Sequence, residues 1–207
     1  MERTLADATG SGPEAATPWR EIALAAVAAE AAQEAHLVAT VASELSRRVR
    51  LPCRLVAAPA GPAPAPVPGR PQIDADQLLA ALEAAADDGV PLVGVTAADL
   101  GLPLFTFVFG RARLGGRAVV VSLARLRPEL YGLPADGALV ARRAAAEILH
   151  ELGHLAGLAH CADSACLMHF ATSVEAADLR GSIFCDSCAA ALPAGFIRPA
   201  PISVPRP

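Results

Sequence analysis

Histidines four positions apart on a helix stand one turn above each other and turn their rings to a common point. The run His150-Glu151-Leu152-Gly153-His154 has that spacing. Neutral imidazole nitrogen is a good zinc ligand, at about 2.0–2.1 Å. Glu151, beside the first ligand, is placed to reach a water on the ion without ligating it. The helix itself supplies no third ligand. Gly157 is suited to end it in a conformation of positive φ, and the returning chain brings His160 three residues later. Three protein ligands leave one position for water, whose pKa zinc lowers to about 7. Such a site hydrolyses peptide bonds, with Glu151 as general base and afterwards as proton donor to the leaving amine. His-Glu-x-x-His alone recurs by chance; Gly157 and His160 at their positions make coincidence far rarer.

A cysteine constellation follows at once. Cys161 and Cys166 form one close pair, Cys185 and Cys188 another, and an 18-residue spacer (167–184) joins them. Four thiolates close a tetrahedral structural zinc site with no open position. Its task would be to staple a segment with too few apolar residues to order itself. Free or redox-active thiols are the competing reading, and disulfides a weaker one, because the cysteine count of five is odd. Cys161 adjoins His160, which leaves open a competition for the catalytic zinc that would displace the water. Cys53, outside the cluster, reads as a small buried hydrophobe.

The elements that must position these residues are legible from periodicity. Gly137 to Leu155 reads as a long helix with Asp136 as N-cap, and Ile148, Leu149, Leu152 and Leu155 form its core-facing set. Upstream, Glu21 to Ala29 is a candidate strand and Ala31 to Arg48 a helix with Leu37, Val41 and Leu45 on one stripe. Leu51 to Ala58 is a second strand. The Pro/Gly-rich run APAGPAPAPVPGRP reads as an exposed loop. Ile73 to Ala86 returns to helical spacing with Asp74 as N-cap, and Val90 to Thr96 reads as a buried strand. Leu104 to Gly110 and Arg117 to Leu123 form a hairpin candidate around Arg113-Leu114-Gly115-Gly116. Phe105, Phe107 and Phe109 share one face there and are expected in the core. The order suggests an α/β layer followed by an irregular, metal-organised lobe.

Composition narrows the function classes. Hydrophobic residues make up 54% and aromatics only 4%, so the core is expected to be aliphatic. Every basic residue is Arg, and the net charge is −4. Arg47, Arg48 and Arg50 read as the solvated end of a helix, not as a nucleic-acid footprint. The stretch Ile22 to Ala42 is interrupted by Glu30, Glu34 and His36, which makes it a poor membrane span. The N-terminal residues lack the basic start and apolar run of a signal peptide. A monomeric, cytoplasmic protein without nucleic-acid or membrane partners is expected.

With these residues in view, the chain resembles the archaemetzincins. Their pattern is His-Glu-x-x-His-x-x-Gly-x-x-His-Cys, four residues, Cys-x-Met, a spacer, and Cys-x-x-Cys. Here it stands as HELGHLAGLAHCADSACLM followed by CDSC. The match is close from Ala144 to Cys188, and FVFGRARLGGRAVVVSLARL upstream also looks like the family. The resemblance implies a catalytic zinc on His150, His154 and His160, a base at Glu151, and a structural zinc on Cys161, Cys166, Cys185 and Cys188, two ions per chain. It makes Met168 the methionine of the Met-turn, an apolar floor beneath the catalytic zinc. His169 is expected to pack or hydrogen-bond locally. The spacer from Met168 to Cys185 (169–184) is 16 residues, one shorter than the family's usual run.

The implied fold is metzincin-like α/β (α+β): a small mixed sheet with helices, an active-site helix, then an irregular zinc-stapled subdomain. The expected organisation is a disordered leader at 1–18, one catalytic domain at 19–192 divided near 157/158, and a Pro-rich tail at 193–207. An edge strand within Leu104 to Leu123 is expected above the zinc, where a peptide substrate could add as a further strand. The leading function is a zinc-dependent peptidase. The alternative is a catalytically silent or latent zinc-stabilised module that binds peptides or proteins.

Overall fold

The computed structural model describes residues 19–28, 31–61 and 64–198. The expected disordered leader lies outside the described residues, as does the tail beyond Arg198. The elements run β1 (Ile22–Ala26), α1 (Ala31–Arg48), β2 (Cys53–Leu55), β3 (Ile73–Asp74), α2 (Ala75–Ala85), β4 (Leu92–Thr96), β5 (Leu100–Leu102), β6 (Phe105–Val108), β7 (Gly110–Ala112), β8 (Ala118–Ser122), α3 (Gly137–Leu155), α4 (Val174–Leu179) and α5 (Asp186–Ala191). Two short 3-10 turns, Ala124–Leu126 and Pro128–Tyr131, link β8 to α3.

Apolar runs without alternation belong in a sheet covered on both faces, and β1, β4 and β8 meet that condition. They are the centre of a five-stranded sheet ordered β2-β1-β4-β8-β7, in which only β7 runs antiparallel to its neighbour. Successive side chains take opposite faces. Ile22, Leu24, Val93, Val95, Val119 and Val121 pack with α1 and α3, whereas Ala23, Ala25 and Val120 pack with Leu78, Leu79 and Leu82 of α2. The small residues on the second face let α2 approach closely. At Gly94 a Cβ would stand 2.6 Å from Leu82 Cδ1. Asp74 caps α2 by accepting from Asp76 N and Gln77 N, and Asp136 caps α3 by accepting from Leu139 N.

Four expectations change. The hairpin forms around the expected turn, with Gly115 at φ 67°, but its first strand is only Gly110–Ala112. Phe105–Val108 leaves that sheet and pairs with β5 in a second sheet ordered β3-β5-β6. Of the three phenylalanines expected in the core, Phe109 alone is buried; Phe107 is half-buried and Phe105 is 53% exposed. The rings do alternate, but the face they share is a cleft wall. The Pro/Gly-rich loop is not wholly exposed either, since Val67 is buried and Pro66 bridges Ile73. Cys53 is half-buried on a sheet edge, not enclosed.

The tail expected from Pro193 onward begins as part of the core. Phe196 is 1% exposed and meets the ring of Trp19 edge-on at 5.1 Å, while Ile197 bridges Val49. Emptying that site should be felt. Phe196→Ala is expected to lower unfolding free energy by about 3 kcal/mol or more, read from the fluorescence of Trp19, the single tryptophan, in a urea titration. A loss below about 1 kcal/mol would show that the segment is not part of the cooperative core.

Candidate metal centre and active site

Helix α3 carries the first two histidines and ends as its sequence dictates. Gly157, at φ 93°, donates to His154 O, and Leu158 N donates to Gly153 O. This pair of bonds is the Schellman arrangement that a left-handed glycine permits. The chain turns back, and His160 returns beside the helix. Ring centroids of His150, His154 and His160 lie 4.7, 4.8 and 5.3 Å apart, and one nitrogen from each falls within 4.8 Å of the others.

Hydrogen bonding fixes the tautomers. His150 Nδ1 lies 2.8 Å from Leu167 O and His154 Nδ1 lies 2.7 Å from Leu158 O. A carbonyl only accepts, so each Nδ1 is assigned the proton; at His150 the Leu167 O contact is the shorter one, Arg180 Nη1 standing 3.2 Å from the same nitrogen. The two Nε2 atoms, 3.1 Å apart, are then both bare lone pairs. Burial and the nearby Arg180 hold His150 far below the ordinary imidazole value, at about 3. Burial lowers His154 too, and partial desolvation and the facing His154 lower His160. Three neutral imidazoles with lone pairs converging on one point are a donor set for a borderline-soft divalent cation.

Glu151 is buried beside this set, and its carboxyl is pushed up to about 8, first by burial and then by Glu147, against the pull of Arg111 and Arg180. It fits under β7 only because residue 110 is glycine: a Cβ there would stand 2.8 Å from Glu151 Cγ and 2.9 Å from Oε1. Below the histidines, Met168 is fully buried with its Sδ against Gly153, where an added Cβ would come within 2.5 Å. His169, as expected, bonds locally, its Nδ1 3.0 Å from Cys161 O.

The four cysteines also converge, their sulfurs all within 4.8 Å of one another. Cys161 Sγ and Cys185 Sγ are 3.9 Å apart, far beyond the roughly 2.05 Å of a disulfide. Cys166 Sγ accepts from Met168 N at 3.4 Å and Cys185 N at 3.3 Å, an arrangement suited to a thiolate. Cys185 is held below the ordinary thiol value, chiefly by hydrogen bonding to Cys188, while desolvation raises Cys166 and Cys188. Four sulfurs so close carry full charge together only around a cation. Cys161 belongs to this group and not to the histidine group.

Sequence reasoning missed two buried charges. Glu147 and Arg180 pair at 2.5 Å, both almost wholly enclosed, and both line the cleft over the histidines. Arg180 Nη1 also donates to His169 O at 3.3 Å, so one guanidinium ties α3 to the segment after Met168. Burial pushes Glu147 up, opposed by Arg180. Glu147 was findable: it precedes Glu151 by one helical turn and so shares the ligand face. Nothing local marks Arg180. Gly181 beside it admits no side chain, because a Cβ would lie 1.6 Å from Ala165 O.

The family model described as Peptidase family M54 matches residues 44–194. Archaemetzincin of Pyrococcus horikoshii is 45% identical over 96 residues, 46% of this chain and 51% of that protein. Archaemetzincin of Sulfolobus acidocaldarius is 37% identical over 121 residues, 56% of this chain and 66% of that protein. The chain therefore spans about half the length of the first curated relatives it matches. Among solved structures, archaemetzincin from Methanopyrus kandleri superposes with TM-score 0.66 at 31% identity, covering 83% of this chain and 92% of that one. A zinc-dependent peptidase from Methanocorpusculum labreanum gives the same TM-score at 25% identity, covering 83% and 98%.

Removing one partner of a buried ion pair strands the other, whereas replacing both by apolar groups is close to neutral. Arg180→Met alone is expected to cost about 3–5 kcal/mol in urea unfolding, and Glu147→Leu with Arg180→Met much less. Equal losses would mean that Arg180 acts through its contact with His169 and not through the ion pair.

Proposed function

The chain belongs to peptidase family M54, and on that premise we propose that it hydrolyses peptide bonds with one catalytic zinc on His150, His154 and His160 and one structural zinc on Cys161, Cys166, Cys185 and Cys188. The observation that carries this reading is the pair of Nε2 lone pairs 3.1 Å apart, both Nδ1 protons being committed to carbonyls. Such a pair is repulsive without a cation between the donors, and Glu151 lies beside it in the same cleft. When bound there, zinc supplies Lewis acidity for the scissile carbonyl and lowers the pKa of water.

The remaining work falls to the chain's own residues. A peptide lies along the outer edge of β7, the last strand of its sheet, and takes main-chain hydrogen bonds from it. Glu151 accepts a proton from the attacking water as oxygen bonds to the carbonyl carbon, and passes it to the amide nitrogen as the C–N bond breaks. Gly110 keeps the space that the carboxylate occupies. Met168 and Gly153 set the depth of the ligand helix over its apolar floor. The five thiols suit a reducing compartment such as the cytoplasm. No helix among the described residues is long and apolar enough to cross a membrane.

The test is mass-spectrometric analysis of a diverse peptide mixture after incubation with the zinc-loaded protein. Cleavage should fall at least about a hundredfold in Glu151→Ala, with zinc content unchanged. Equal cleavage by both would remove Glu151 from the reaction, and none by either would favour a peptide-binding module. Elemental analysis should find two zinc ions per chain, one in His154→Ala, and cleavage lost on chelation. Gly110→Ala, which displaces the carboxylate without touching a ligand, should retain both ions yet lose roughly a hundredfold in kcat. An unchanged kcat would show that Glu151 does not need that position.

A further inference from the structure

The chain has only six Phe, one Trp and one Tyr. Four of these, Phe105, Phe107, Phe109 and Phe170, line the single cleft that holds the histidines and Glu151, a space of about 260 Å³. Phe105 and Phe170 are about half exposed, at 53% and 52%. A protein this poor in aromatic residues gains nothing for its core by leaving rings in water, so their concentration at one site calls for an occupant.

The wall is built to stay in place. Behind β6, Arg70 donates to Phe105 O at 2.7 Å and also to Leu102 O. Gln72, buried, donates to Thr106 O at 2.8 Å and to Asp99 Oδ2 at 2.9 Å. Asp99 in turn grips Arg125 through two bonds of 2.8 Å, and the Arg125 guanidinium lies 4.2 Å over the Phe107 ring. Phe107 meets Phe109 edge-on at 5.2 Å, and Phe170 lies against His160 at 4.9 Å. A polar chain running from Gln72 to Arg125 therefore fixes the backbone and one face of an aromatic surface whose other side is open. Rings held in this way bind without the entropic loss of ordering them.

The charges of the cleft discriminate in the same direction. Arg180 is paired with Glu147 and Arg111 with Asp76. Arg180 is enclosed in its pair, while Arg111 is 40% exposed and bound through Nε alone; away from Arg111, a charged group entering the apolar wall unpaired is strongly disfavoured.

We infer that this wall is a specificity subsite that selects peptides with an aromatic or large aliphatic residue next to the scissile bond, with Phe107 as its determining side chain. The inference rests on the proposed hydrolysis but is testable apart from it. In the peptide mixture, the zinc-loaded wild type should cut beside Phe, Tyr, Leu or Met at least about tenfold faster than beside Asp, Glu or Gly. Phe107→Ala should lower the Phe-over-Ala ratio of kcat/KM about tenfold, and Phe107→Leu should restore most of it. A flat profile, a preference for charged residues, or an equal loss on all substrates in Phe107→Ala would overturn the subsite. Should the wild type cut nothing, fluorescence anisotropy with labelled Ala-Ala-Phe-Ala-Ala and Ala-Ala-Asp-Ala-Ala decides separately. Tighter binding of the Phe peptide that Phe107→Ala abolishes supports the subsite without hydrolysis, and equal binding of the two peptides refutes it.

Discussion

Bare nitrogen lone pairs packed at 3.1 Å repel one another, and much of this molecule is arranged to hold them there. His154 depends on Leu158 O, which exists in place because Gly157 turns the helix end back on itself. His150 depends on Leu167 O, and that carbonyl sits between Cys166 and Met168. Leu167 N is itself bonded to Ile183 O, two residues before Cys185. The cysteine cluster thus reaches the histidine group through the backbone: gathering the sulfurs also sets the carbonyl that orients the His150 ring. A carbonyl that accepts from the far nitrogen of an imidazole orients the ring and raises the basicity of the other nitrogen.

The junction between the two clusters is equally direct. His160 and Cys161 are consecutive, and Cys161 N donates to Met168 O while its carbonyl meets His169. Successive residues are assigned to different groups because the backbone turns between them, which removes Cys161 from competition for the histidine site. The Glu147–Arg180 pair completes the frame from the other side of the cleft. Its charges are enclosed next to Glu151, so the arrangement of carboxyls around the histidines depends on a residue from a distant stretch of chain.

The ligand helix, its N-cap and its glycine stop were legible to the residue, because helix periodicity, Asp136 and Gly157 each act within one or two turns. The convergence of the three histidines and of the four cysteines was legible from residue type and spacing. Strand β4 was legible as a buried apolar run, β1 as a loosely alternating one and β8 as one arm of a hairpin. What escaped depended on partners far along the chain. Phe105 and Phe107 alternate as core residues do, and nothing in their spacing reveals that β6 departs from β8 to join β5. Phe196 sits among prolines and glycine without periodicity, so its burial against Trp19 had no local signal. Arg180 had none either, because its role is fixed by Glu147, 33 positions upstream.

Both edges of the main sheet are short. β7 has three residues with Arg111 at its centre, and β2 has three with Arg54 at its centre, preceded by Pro52. Edge strands offer unpaired backbone groups to any extended chain, including an identical protein. Three residues give too few ladder bonds for two copies to zip together, and a central arginine on each strand opposes like charge across such a seam. The proposed substrate strand would, by contrast, have the neighbouring cleft as anchorage. The brevity of β7 therefore bears on colloidal behaviour as much as on recognition: a sheet margin can stay open in a crowded solution without seeding fibrils.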